Sequence, residues 1–301
     1  MINITLRQLR YFEALARHGH FGHAAEACAI SQPALSVQIR ELEDTLGMQL
    51  FERSARKVRL TGFGEEFHGR AQNVLRSVEE LGDMARAARG GFTGRLRLGV
   101  IPTIAPYLLP DIVGRLAQRW PELDVHVRET LTSTLLQELA GGRLDAAILA
   151  LPIDDPGLSE VELFSEEFVL VRPEKDRAKP MPGADALREM RLLLLEEGHC
   201  FRDQALAFCN IRPSVTGDGL DGSSLSTLVQ MVGAGLGVTL IPQMAVPVET
   251  RSAPVAVARF APPAPQRRIG MVWRRTSPLT AQLGEIAEVV RQSAEMSASQ
   301  L

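Results

Sequence analysis

AAEACAISQPALSVQIRELEDTLGMQLFERSARKVRLTGFG, residues 24–64, is the stretch whose reading decides the fold. Phe21, Ala24, Ala25 and Cys28 recur at i, i+3, i+4 and i+7, one apolar face of a short helix, with Cys28 expected in the core. After a break at Ala29 and Ile30, Ser31 stands where an N-cap belongs, with Pro33 just inside the next helix. That helix buries Leu35, Ile39, Leu42 and Leu46. It leaves Pro33, Ser36, Val37 and Arg40 on the opposite face and Gln32 at its tip. Upstream, Thr5 and Gln8 have capping-box spacing and open a first helix through Leu9 and Phe12. Two short helices joined by a tight turn, the second with a polar N-terminal face, describe a helix-turn-helix. Its recognition helix places N-terminal residues against base edges in the major groove, where Gln and Arg make bidentate contacts to adenine and guanine. Periodicity alone also allows an ordinary helical hairpin. The next residues favour DNA: Arg53, Arg56, Lys57 and Arg59 place four cations in seven positions between alternating apolar residues. That pattern suits a two-stranded wing lying along a phosphate backbone.

Nothing global announces nucleic acid, because the formal net charge is −3 and the asymmetry is local. With 45% apolar and 23% charged residues in 301, the composition is that of a globular protein of two or three domains. No apolar run approaches the ~20 residues that span a bilayer, and the N-terminus lacks an apolar signal-peptide region. A cytoplasmic protein with no membrane partner is expected. Three cysteines exclude a disulfide scaffold, and a cytosolic pair points to redox or catalytic work. The histidines, including the local group His18, His20 and His23, show no metal-ligand spacing, so neither a metal nor another cofactor is expected.

The quoted run strongly resembles the DNA-binding module of the LysR family of bacterial regulators. The resemblance is specific over about residues 5–90 and looser beyond. It implies an α + α/β fold: a winged helix-turn-helix (1–61), a long linker helix (62–92) and a regulatory domain (93–301). That last domain would be two α/β subdomains resembling periplasmic binding proteins, I (93–164 and 269–301) and II (165–268), with chain crossings near 164 and 268. In the linker, Phe67, Ala71, Val74, Val78, Leu81, Ala85 and Ala88 are spaced 4, 3, 4, 3, 4, 3, ending at Gly90 and Gly91. Such a seam packs on another helix or lies on its own domain. In the LysR family this helix dimerises, which implies a homodimer or homotetramer on two-fold symmetric double-stranded promoter DNA, with RNA polymerase as a further partner.

Beyond Thr93 the chain reads as alternating strands and helices. Strands are expected at 95–101, 125–128, 144–149, 168–171, 192–195, 238–241 and 269–273, and helices at 106–120, 135–139 and 225–232. This argues a parallel-rich sheet with crossover helices, the 225–232 helix contributing to a dimer contact. Ligands in such sheets sit beyond the carboxyl ends of strands, where Thr103, Thr132 or Ser133, and His199-Cys200 fall.

The second decisive stretch is Glu196-Glu197-Gly198-His199-Cys200-Phe201-Arg202-Asp203-Gln204, with Cys209 nine residues after Cys200. It closely resembles the peroxide-sensing segment of the OxyR subfamily, whose pattern is Gly-His-Cys, Arg-Asp-Gln and a second Cys at that spacing. IPTIAPYLLP at 101–110 resembles the corresponding strand-to-helix turn. The resemblance implies a transcription factor, not an enzyme, that senses hydrogen peroxide and activates oxidative-stress defence genes, with repression left open. It makes Cys200 the peroxidatic thiol and Cys209 the resolving thiol of a Cys200–Cys209 disulfide. Thr103, His199 and Arg202 match its pocket positions; Asp203 is grouped with them, and Thr132 is assigned from its strand-end position.

The chemistry has its own logic. A free thiol titrates near about 8.5, and a helix N-terminus with neighbouring His199 and Arg202 would favour the thiolate. The thiolate attacks one peroxide oxygen to give a sulfenic acid, which a second thiol condenses with. If 200–209 is helical, the two cysteines lie roughly 13.5 Å apart on opposite faces. A disulfide tolerates a Cα separation of only about 4.4–6.8 Å. Oxidation must then unwind the segment, displacing Leu206, Ala207 and Phe208 and altering the subunit interface. Two other functions compete. One is a LysR-type regulator that answers a small metabolite bound between the subdomains; the other is a thiol peroxidase with an accessory DNA-binding domain.

Overall fold

The computed structural model describes residues 3–53, 58–87, 93–183, 187, 190–209 and 221–298. The chain divides into two compact units, 1–85 and 86–301.

In the first unit, α1 (Leu6–His18) opens with the expected capping box: Thr5 Oγ1 accepts from the Gln8 amide, and Gln8 Oε1 accepts from the Thr5 amide. Helix α2 (Phe21–Ala27) ends in a turn where Ala29 adopts φ 52°, and α3 (Gln32–Leu46) starts on Ser31, whose hydroxyl accepts from the Ala34 amide. Leu9, Phe12, Leu15, Ala24, Leu35, Ile39 and Leu42 form one core closed by Leu50 and Phe51. Leu46, the last residue of α3, and Cys28, the C-cap residue just past α2, are only half-buried at its edge. Glu43 is buried, and its Oε1 accepts from the Leu50 and Phe51 amides at 2.9 and 3.2 Å, fixing the corner between α3 and the wing. The wing strands β1 (Phe51–Arg53) and β2 (Val58–Leu60) pair antiparallel.

Helix α4 (Gly62–Ala87) divides the heptad seam in two. Phe67 packs edge-on against Phe12 with ring centroids 5.1 Å apart, and Ala71 is 2% exposed, so the first seam positions belong to this unit's own core. Further along, Val74 and Leu81 are 46% and 64% exposed. Ala88, Gly90 and Gly91 lie outside the described residues.

The second unit is built on β3 (Gly94–Val100), α5 (Ala105–Arg119), β4 (Leu123–Glu129), α6 (Thr132–Ala140) and β5 (Ala146–Leu151). Strand β3 runs parallel to β4 and β5, the two-crossover arrangement expected of the apolar runs. Strand β6 (Leu158–Pro173) is far longer than the 168–171 expected from sequence. Its first ten residues alternate and carry Glu160, Glu162, Glu166 and Glu167, which hides them from a search for apolar runs. Up to Glu167 it pairs with β11 (Gln266–Arg274); from Phe168 onward it pairs with β9 (Thr239–Pro242) and β10 (Val255–Arg259). All of these pairings, and that of β11 with β5, are antiparallel. The seven-stranded sheet is therefore mixed rather than parallel-rich, because one long strand returns beside β11 instead of crossing over.

Two apolar cores flank the partner change in β6. One gathers Leu98, Ile148, Ile269 and Met271 under α5 and α10 (Thr280–Ala298). The other gathers Phe168, Leu170, Leu193 and Leu240 with α7 (Cys200–Phe208) and α8 (Leu225–Gly233). A short parallel pair, β7 (Leu194–Leu195) with β8 (Asp221–Gly222), lies beside α7, and α9 (Val246–Glu249) follows β9.

Candidate functional site

The chain leaves β7 through Gly198, whose φ of 95° suits a residue without a Cβ and turns the backbone into α7. His199 is the N-cap position and Cys200 the first helical residue, so the sulfur sits at the positive end of the helix. Thr103 follows β3 and Thr132 opens α6 after β4, and these strand ends converge on Cys200. Ile101, Pro102, Thr103, Leu131, Thr132, His199 and Cys200 line a cavity of about 10 Å³, room for roughly one water-sized molecule. Pro102, Thr103, Leu131 and His199 also line a crevice of about 330 Å³ with Tyr107, Ser226 and Glu249 on its wall.

The polar groups here are unevenly satisfied. Thr132 Oγ1 is buried with no hydrogen-bond partner among the described residues. An unpaired buried hydroxyl costs on the order of 1–3 kcal/mol and is a group that a small polar molecule in the cavity can satisfy. Thr103 is 3% exposed; its Oγ1 accepts from Arg267 Nη1 at 2.7 Å and its carbonyl accepts from Arg267 Nη2 at 3.0 Å. A guanidinium only donates, so the proton of the Thr103 hydroxyl is left to point elsewhere. Arg267 is fully buried, held by Glu166 Oε1 at 2.5 Å and by the face of Phe201 at 5.4 Å. The sequence reading missed Arg267 and Glu166.

Three expectations are corrected. Burial pushes the His199 imidazole below its usual value, only partly offset by Glu196, so at neutral pH it is a neutral ring and not a cation beside the thiol. Arg202 does not line the cavity: its guanidinium is buried on the other side of α7, donating to the Leu195 carbonyl at 2.6 Å and pairing with Asp221 at 3.0 Å. Asp203 is exposed on the outer face of the helix and lines neither cavity nor crevice. Ala207 is likewise exposed, whereas Leu206 is buried and Phe208 packs edge-on against Phe260.

Cys209 caps the far end of α7, fully buried, its amide donating to the Ala205 carbonyl. The three cysteines are thiols, and Cys200 and Cys209 occupy opposite ends of one nine-residue helix.

In the first unit, Ser31, Gln32, Pro33, Val37 and Arg40 are exposed and Ser36 is half-buried, so α3 presents the face read from its periodicity. Arg53 lies in β1, while Arg56 and Lys57 lie outside the described residues.

Residues 6–65 match the bacterial regulatory helix-turn-helix proteins of the lysR family, and residues 89–295 match the LysR substrate binding domain. A probable hydrogen peroxide-inducible genes activator of Streptomyces viridosporus is 48% identical over 293 residues, covering 96% of this chain and 94% of that protein. Among solved structures, a full-length OxyR variant from Pseudomonas aeruginosa is 38% identical with a TM-score of 0.77, covering 96% of this chain and 95% of that one. A hydrogen-peroxide-bound OxyR mutant from Corynebacterium glutamicum is also 38% identical, with a TM-score of 0.69 over 99% of this chain and 94% of that one. The chain belongs to the LysR family and, within it, to the OxyR group.

Proposed function

We propose that this chain is a DNA-binding transcription regulator switched by hydrogen peroxide. The observation that carries the reading is the Cys200 thiol at a helix N-terminus beside a cavity whose Thr132 hydroxyl lacks a partner among the described residues, with Cys209 at the other end of the same helix. Peroxide entering from the crevice accepts from the Thr103 hydroxyl, whose oxygen is occupied by Arg267, and engages Thr132. The Cys200 sulfur attacks one peroxide oxygen and the O–O bond breaks. Cys200 becomes a sulfenic acid, and the departing hydroxide takes a proton to leave as water. Cys209 then gives up its thiol proton and attacks the Cys200 sulfur, forming the S–S bond and breaking the S–O bond; the expelled hydroxide takes up that proton and leaves as a second water. In this scheme Cys200 is peroxidatic, Cys209 resolving, and Thr103, Thr132 and His199 form the pocket; Arg202 and Asp203 are reassigned out of it.

Ser31, Gln32, Pro33, Ser36, Val37 and Arg40, with Arg53, Arg56 and Lys57 of the wing, would contact a two-fold symmetric promoter. The exposed seam from Val74 onward would join two copies, as a homodimer or as part of a homotetramer. Working boundaries are 1–61, 62–92 and 93–301, the last divided into I (93–164, 269–301) and II (165–268). Cytoplasmic placement and contact with RNA polymerase belong to the same proposal; no helix among the described residues is long and apolar enough to cross a membrane.

The test is peptide mapping without reductant after one equivalent of peroxide, with promoter footprinting of the same samples. A Cys200–Cys209 disulfide and a changed footprint are expected, both abolished by Cys200→Ser. The 330 Å³ crevice favours a second reading, a metabolite-responsive regulator. That reading takes over if free thiols persist and ligand-responsive DNA binding survives Cys200→Ser.

A further inference from the structure

We propose that Asp221, acting through Arg202, is a positioning residue that clasps α7 in its helical form and so restrains the step that joins Cys209 to Cys200. The inference rests on the disulfide reading above and extends it to a residue outside the peroxide pocket. Arg202 is the third residue of α7, and its side chain is 7% exposed. Its Nη1 donates to the Leu195 carbonyl at the end of β7 and lies 3.0 Å from Asp221 Oδ2 at the start of β8. Those two strands are themselves paired, Leu194 with Asp221 and Leu195 with Gly222, and the Glu196 amide donates to the Gly222 carbonyl. One guanidinium therefore ties the helix between the cysteines to both strands beside it.

Closing a disulfide between residues 200 and 209 requires roughly 13.5 Å of helix to collapse to about 4.4–6.8 Å between Cα atoms. Arg202 lies inside the span that must unwind and Asp221 lies outside it, so the pair separates when the loop forms. Asp221 is 39% exposed and rehydrates readily on release, which makes it the gentler end of the clasp to alter. Weakening the pair lowers the cost of opening α7 without touching any group that lines the peroxide cavity.

The experiment uses the full-length dithiol protein and its Asp221→Asn variant, mixed rapidly with one equivalent of hydrogen peroxide. Sulfenic acid formation and disulfide formation are followed separately, and the dithiol–disulfide equilibrium is set in glutathione buffers. Loss of one partly exposed charge pair predicts an unchanged peroxide step and resolution about fivefold faster. The same fivefold shift in equilibrium moves the reduction potential about 20 mV more negative. In an Arg202→Gln background, Asp221→Asn has nothing left to release and changes neither quantity. Equal resolution rates and potentials in wild type and Asp221→Asn overturn the clasp while leaving the disulfide switch standing. A full effect of Asp221→Asn in the Arg202→Gln background also overturns it, because Asp221 would then act through another group. A wild-type protein that consumes peroxide without forming the disulfide removes the reading beneath the clasp, and the clasp with it.

Discussion

Replacing Thr132 with Val separates two effects that normally move together. The substitution keeps the β-branched shape and removes a hydroxyl that is buried, and unpartnered among the described residues, at the start of α6. Leu131 caps that helix without any side-chain bond, so no capping interaction is lost with the hydroxyl. Removing an unsatisfied buried hydroxyl relieves a desolvation penalty on the order of 1–3 kcal/mol, so the dithiol protein should become more stable, by about 1 kcal/mol after packing changes. The same hydroxyl, as a partner to peroxide and to the developing hydroxide, contributes a bond to a charged group of about 1.5–3 kcal/mol. Its loss slows oxidation of Cys200 by roughly 10–100-fold. The assays are denaturant unfolding of the dithiol form and rapid-mixing kinetics of sulfenic acid formation. Greater stability with slower oxidation supports the pocket. A destabilised protein that reacts at the wild-type rate would refute it, since Thr132 would then be an ordinary structural residue whose hydroxyl never meets the oxidant.

Three further outcomes follow from the same geometry. Arg267→Met leaves Glu166 buried without its cation, at a cost of about 3–5 kcal/mol visible in thermal unfolding, and also slows peroxide reaction because Thr103 loses its donor. His199 has a depressed folded-state pKa, so the unfolded chain binds its proton first. Stability is fully present above the unfolded value near 6.5 and is lost as pH falls through the lower folded value, a slope that His199→Gln should abolish in melting curves from pH 7.5 to 5. Leu81→Asp places a charge on the exposed part of the seam and should lower self-association in sedimentation without lowering the melting temperature of the separate units.

What the sequence made legible followed from local rules. The capping box at Thr5, the N-cap at Ser31 and the periodicity of α3 each reappear in the structure, because short-range hydrogen bonds and one buried face settle those elements. The separation of the two cysteines along one helix was legible for the same reason. Arg202 was misread through adjacency. At 100° per residue it points about 200° away from Cys200, so a residue two positions on in a helix cannot share its cavity. Arg267 was not legible at all. It reaches Thr103 from β11, across 164 residues of chain, and nothing in its local pattern marks it. Glu43 escaped notice likewise: a carboxylate on the apolar side of α3 looks like an error until its two amide donors are seen.

The placement of the two thiols also explains why a short helix makes a usable switch. Nine residues are too few for a helix to stand alone in water, so α7 exists because Phe201, Ala205 and Leu206 are buried in the second core and Arg202 is tied down. Cys209 is itself part of that core, fully buried at the last turn. Its thiol cannot reach Cys200 while the packing holds, and once the packing opens little intrinsic helix propensity remains to oppose unwinding. Oxidation at Cys200 and rearrangement around Cys209 are thus coupled by the stability of one element. In the proposed switch, that stability sets how readily an oxidised Cys200 is converted into a change of fold.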